Sequence, residues 1–211
     1  MATKEKITKA YIEFELLNGR APHSVFELSK KLKIEESTFY KSFSSLNAIR
    51  EEILVNTLST TFEIIANDTE YPAYSAREKA LAIFYTLFAQ LEKNRSYFLA
   101  KYSSIKEAPH QFKEWDSFMK TLDSHLNEVI QEAKSSQEIV DRPFIGEHYH
   151  KGFKLVFSYL FRVWINDTSE GFSTTDAAIE KSVNLSFDLL ATSPLDSILD
   201  FGKFAFKTKV L

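Results

Sequence analysis

One stretch constrains this chain more than any other: Ser24-Val25-Phe26-Glu27-Leu28-Ser29-Lys30-Lys31-Leu32-Lys33-Ile34-Glu35-Glu36-Ser37-Thr38-Phe39-Tyr40-Lys41-Ser42-Phe43. Ser24 and Glu27 have the Ser-x-x-Glu spacing that opens a helix. Val25, Leu28 and Leu32 give that helix one apolar side, and Ser29 is small where a following helix would cross closely. Lys33-Ile34 reads as a turn, and Glu35 to Ser42 as the next helix. Phe39 and Phe43, four apart, turn inward, so Ser37, Thr38, Tyr40 and Lys41 face largely outward. Hydroxyls and an ammonium on one exposed helix face suit phosphate oxygens. Two short helices across a tight turn, the second with such a face, make a helix-turn-helix and imply contact with DNA. The expected contacts are Ser24, Glu36, Ser37, Thr38, Tyr40 and Lys41, with Glu36 and Ser37 as base readers.

The rest of the chain reads as helix throughout. Ile7, Ala10, Tyr11, Phe14 and Leu17 form one helical face ahead of the motif, closed by Asn18-Gly19. Further helices are expected over about 45–67, 75–93, 96–104, 109–136, 145–166 and 173–191, with a last one opening at Pro194. Ile49, Ile53, Ile64 and Ile65 mark the first of these. Phe112, Trp115, Met119, Leu122, Leu126, Val129 and Ala133 mark the fourth, a stripe alternating in threes and fours. Helix 145–166 is apolar nearly all round, which predicts burial on more than one side. Ser173-x-x-Asp176 predicts the cap of the helix after it. The fold class expected is all-α: an N-terminal three-helix helix-turn-helix domain over 1–48, then a larger helical ligand-binding and dimerisation domain over 49–211.

Composition narrows the function. The 211 residues include no cysteine, which excludes disulfides and thiolate metal sites. No apolar segment follows the charged start, so no signal peptide is expected, and no stretch is apolar enough for a membrane span. A soluble cytoplasmic protein is the expectation. The net charge of −3 is not that of a general nucleic-acid binder, but residues 1–55 carry +1 and the remainder −4. Nineteen Phe, nine Tyr and two Trp are an unusual load, mostly after residue 60. Phe84, Phe88, Tyr97, Tyr102, Trp115, Phe118 and Phe153 are candidates to line a pocket for a small hydrophobic or aromatic effector between helices.

Thr38-Phe39-Tyr40-x-x-Phe43, preceded by Ser24-Val25-x-x-Leu28-Ser29, resembles the DNA-binding domain of TetR-type transcriptional regulators, over about residues 5–55. The segment from Trp164 through Asp167-Thr168-Ser169, Phe172 and Thr175-Asp176-Ala177 to Ile179-Glu180-Lys181-Ser182 is similar to the C-terminal part of some bacterial members. The resemblance implies a homodimer whose two recognition helices meet a near-palindromic double-stranded operator. It also implies a ligand that moves the heads out of register with the DNA. Helices 145–166 and 174–191 would then form most of an intersubunit four-helix bundle. Four residues depart from the family pattern: Lys33 where the turn often has Gly, Glu35 and Glu36 at the recognition-helix start, and Leu46 where a Lys is common.

Other classes have little behind them. Glu147-x-x-His150 is half of a di-metal motif with no second half. His148 and His150 point to different helical faces, and His110 and His125 have no ligand-spaced partners. No metal, no cofactor and no enzyme activity is expected. The reading from a different class is an all-α small-molecule-binding or interaction protein with a weak or lost DNA-binding head, motivated by Glu35, Glu36 and Leu46.

Overall fold

The helix-start signals read from the sequence coincide with real helix starts in the first third of the chain. In the computed structural model, which describes residues 4–104, 109–142 and 146–191, α1 (Lys4–Asn18) buries Ile7, Ala10, Tyr11 and Phe14 and stops at Gly19, whose φ of 64° is left-handed. Leu17 was expected to extend that face, but it stands in solvent. The apolar face ends a turn early because Arg20 and Lys31 cover the Phe14 ring instead, at 5.4 and 5.6 Å from its centroid.

Helix α2 (Val25–Leu32) starts where Ser24 Oγ accepts the Glu27 amide at 3.2 Å. Glu27 does not reach back to close the box. Its carboxylate accepts the His23 amide and pairs with Arg20, each at 2.7 Å. Helix α3 (Glu36–Tyr40) follows the turn and is shorter than the spacing suggests, with Lys41 already its C-terminal cap. Phe39 and Phe43 are buried together as expected.

Helix α4 (Leu46–Ala66) is capped by Ser45 Oγ on the Ala48 amide. A division of the chain at 48/49 falls within its first turn. Ile49, Ile53 and Ile65 are buried, but Ile64 is exposed, one position around the helix from the face that meets the body. Buried Thr57 and Thr61 return their hydroxyls to the carbonyls of Ile53 and Thr57, so α4 crosses the core with its polar groups satisfied.

The body consists of α5 (Ala76–Glu92), α6 (Arg95–Tyr102), α7 (Asp116–Ser135), α8 (Tyr149–Asn166) and α9 (Ser173–Leu190). Among the described residues there is no strand, and no helix is long and apolar enough to cross a membrane. Helix α5 is central, packed against α4, α7 and α9, while α8 lies against α7 and α9. The N-terminus of α5 is closed twice: by the Ser75–Glu78 capping box, and by the Glu138 carboxylate on the amides of Ala76 and Arg77.

Three expectations for the body change. Residues 109–115 are two 3₁₀ turns rather than the start of α7, because Phe112 is extended (φ −102°, ψ 126°) and breaks the helical run. Helix α8 is buried on one side only, and Leu155 and Tyr159 are exposed. Ser173 is not the cap of α9; Phe172 holds that position with φ 57°. The capping oxygens come from the preceding corner: Asp167 Oδ2 accepts the Thr175 amide and hydroxyl, and Ser169 Oγ accepts the Thr174 amide. The helix expected from Pro194 lies outside the described residues.

Candidate functional site

The recognition motif depends on one backbone conformation. Lys33 sits at φ 55°, ψ 44°, the left-handed region that an L-residue enters at a cost of roughly 1–2 kcal/mol. It is held there because its amide and the next one cap α2: Lys33 N donates to the Lys30 carbonyl at 3.1 Å and Ile34 N to the Ser29 carbonyl at 3.0 Å. This turn sets α3 across α2. Phe39 is then fully buried, Tyr40 is 54% exposed, and Ser37 and Lys41 are exposed. Thr38 and Glu36 are half-buried on the same short helix. Ser24 is exposed, but its hydroxyl already accepts the Glu27 amide.

The ion pairs of the head sort its charges. Lys4 pairs with Glu52, Lys9 with Glu5, Arg20 with Glu27, Lys31 with Glu13, and Arg50 approaches Glu15. The Arg20 guanidinium and the His23 amide hold the Glu27 carboxyl down to about 2. Lys30, Lys33 and Lys41 have no ion-pair partner among the described residues, and neither do Glu35 and Glu36. Lys30, Lys33, Glu35, Glu36 and Ser37 line one groove of about 490 Å³ with the exposed Phe26. The net charge of +1 read from the sequence thus conceals a local arrangement. Most head carboxylates are neutralised internally, and three unpaired ammonium groups lie at or beside the motif.

The seven aromatic residues expected around an effector are all buried, and they divide into an aromatic core and its margin. Trp115 is in ring contact with Tyr102, Phe118, Phe157 and Phe161, and Phe88 with Phe157 and Trp164. Phe84 stacks on Phe153, and Tyr97 meets Phe98 edge-on. In this conformation they fill space between helices. Phe153 also borders a cleft of about 410 Å³ between α8 and α9.

A polar network joins this core to the head, and sequence reasoning missed it. Trp115 Nε1 donates to the Tyr102 hydroxyl at 3.1 Å, the Tyr102 hydroxyl donates to Glu114, and Lys101 pairs with Glu114 at 2.8 Å. On the head side, Arg50 Nε donates to the Tyr11 hydroxyl at 2.7 Å. Glu15 lies between. Burial pushes its carboxyl up, against the pull of Lys101 and Arg50. Burial would also raise Glu114, but hydrogen bonds from Lys101 and Tyr102 hold it below the usual carboxylate range. The members come from α1, α4, α6 and the turn before α7, so no local pattern announces them.

Among the described residues the histidines do not converge. His150 Nε2 lies 3.6 Å from Asp123, and His125 stacks on Phe62 with its Nδ1 3.0 Å from the Thr121 carbonyl. No group of three potential metal ligands exists among the described residues.

Residues 79–205 match the family described as "Tetracyclin repressor-like, C-terminal domain". The fold is similar to that of a bacterial regulatory protein of the tetR family from Rhodococcus RHA1, with a TM-score of 0.57 at 14% identity, over 90% of this chain and 97% of that one. No curated protein matches the chain. Since the family match spans more than half of the sequence and the helical architecture agrees with it, the chain belongs to the tetracyclin repressor-like family and is a TetR-family transcriptional regulator.

Proposed function

We propose that this regulator is a dimeric repressor that leaves a palindromic operator when a small molecule binds its body. The observation that carries the reading is the turn at Lys33, which presents Ser37, Thr38, Tyr40 and Lys41 outward while Phe39 anchors α3. Thr38 and Tyr40 hydroxyls and the Lys41 ammonium serve phosphate oxygens, and Ser24 and Lys33 flank them. Glu36 and Ser37 read bases, a carboxylate being the acceptor that fits the amino group of cytosine.

Dimerisation is supported by α8 and α9. Leu155 and Tyr159 on one helix, and Leu185 and Leu189 on the other, are each more than half exposed at i, i+4 spacing. Apolar pairs of this kind on two packed helices suit a second copy of the same surface, and two-fold symmetry would give two heads for two half-sites. Ligand response is supported by continuity. Helix α4 runs from the head core at Ile49 to the body at Ile65, about 24 Å of helix. The Tyr102–Glu114–Lys101 cluster of the body acts electrostatically on Glu15 of α1, a second coupling between body and head. A ligand that fits only one arrangement of the two would shift the population toward it.

The second reading, a helical binding protein with a weak head, is favoured by Glu35 and Glu36, which have no ion-pair partner among the described residues and would repel phosphates. A salt-titrated gel shift on DNA upstream of the chain's own gene separates the two. The repressor reading expects a complex that weakens steeply as salt rises. No complex even at low salt favours the second.

A further inference from the structure

A cleft of about 340 Å³ opens between α4, α5 and α7, on the side of the body away from the head end of α4. Its volume is that of a small-ligand site. The floor is apolar, made by Ile65, Ile83 and Val129, all buried, with Phe62 alongside. The wall is charged. Lys79, only 7% exposed, pairs with Glu132 and lies 5.7 Å from the centroid of the Tyr71 ring. Glu128, one turn before Glu132 on α7, also lines the cleft and has no ion-pair partner among the described residues. Against the one ammonium of Lys79 the cleft sets two carboxylates, Glu128 and Glu132. The Tyr71 phenol registers this field: burial first, then Glu132 and Glu128, push it up to about 12.

We propose that this cleft binds an organic cation with a compact apolar body, the body on the Ile65–Ile83–Val129 floor and the cationic centre at Glu128. The sign follows from what each ligand would break. An anion reaching Lys79 would have to take it from Glu132, leaving two carboxylates together against a buried ammonium that serves the ligand alone. A cation meets Glu128 with no existing pair disturbed. An uncharged ligand would cover the floor but leave Glu128 unmatched. The proposal rests on the reading of the body as a ligand sensor and names the class of effector. The occupant would sit against Phe62, Ile65 and Ala66, the last turns of the helix whose other end enters the head.

The test is calorimetric titration of the whole chain with benzyltrimethylammonium, and with phenylpropionate as an anion of similar size. The expected result is saturable binding of the cation at least ten-fold tighter than that of the anion. Glu128→Gln, at an exposed position, should weaken the cation ten-fold or more. Ala66→Trp, which fills the cleft from its exposed rim, should abolish binding with the circular dichroism unchanged. Absence of saturable cation binding, an anion that binds as tightly, or a Glu128→Gln variant that binds like wild type would each overturn the proposal. Operator binding without added ligand is measured alongside. A protein that grips DNA but ignores the cation fails this proposal alone, whereas one that binds the cation but never DNA fails the repressor reading alone.

Discussion

Replacing Lys33 by Gly and by Ala separates two roles that the wild-type residue combines. At φ 55° the lysine is in the left-handed region, where an L-residue costs roughly 1–2 kcal/mol. Glycine removes that cost but adds about 0.4–1 kcal/mol of unfolded-state entropy. The net expectation for Lys33→Gly is a gain of about 0.5–1 kcal/mol. Lys33→Ala keeps the strain and is expected to lie within about 0.5 kcal/mol of wild type, because the side chain is exposed and has no ion pair among the described residues. Both substitutions delete the same ammonium beside the recognition helix. Each head then loses one phosphate contact, so the log–log salt slope of operator binding should fall by about 1.8 per dimer in both variants. Urea denaturation of the three proteins, with the slope m held common, gives the stabilities, and salt-titrated gel shifts give the slopes. The reasoning is refuted if Lys33→Gly is no more stable than Lys33→Ala, or if the two differ in salt slope.

The corner before α9 gives a pH prediction. Burial alone would raise the Asp167 carboxyl, but hydrogen bonds from Ser169 and Thr175 hold it down to about 2, against 3.8 for a free carboxyl. A depressed carboxyl stabilises the fold above its unfolded value and loses that contribution as pH falls toward the folded one. Wild type should therefore lose stability relative to Asp167→Asn between about pH 4 and pH 2, and a constant difference across that window would contradict the assignment. At neutral pH, Asp167→Ala should cost about 2–3 kcal/mol, from the lost cap and the stranded Thr175 hydroxyl, measured by urea denaturation. The paired change Leu185→Asp and Leu189→Asp, at exposed positions, should leave the helical content intact and yield a monomer in sedimentation at micromolar concentration. A dimer of unchanged mass would remove α9 from the proposed interface.

Legibility in the sequence followed the range of the physics. The head could be read because its determinants are local: Ser24 caps its own helix, Gly19 ends one, and Phe39 and Phe43 share a face four residues apart. The misread start of α7 shows the limit of periodicity. Phe112 and Trp115 have helical spacing, yet an extended residue and a 3₁₀ turn bury Trp115 and pack Phe112 against the core. The start of α9 was misassigned because its capping carboxylate belongs to Asp167, eight residues before the amide it accepts. Helix α8 was expected to be buried on more than one side because its exposed Leu155 and Tyr159 are of the same apolar type as its buried residues. The junction network and the Lys79–Glu132 pair, 53 residues apart, had no signal along the chain. The seven aromatic residues expected around an effector are buried together, and composition does not distinguish a packed core from the lining of a cavity.

The central claim is that α3 meets DNA through Tyr40 and Lys41, and one measurement tests it directly. Tyr40→Ala combined with Lys41→Ala alters two exposed side chains and leaves Phe39 and Phe43 in place, so the circular dichroism and the urea midpoint should be unchanged. In a low-salt gel shift on the operator, the account predicts that the double variant forms no complex at concentrations that saturate wild type. Binding as tight as wild type, in a folded double variant, would contradict it.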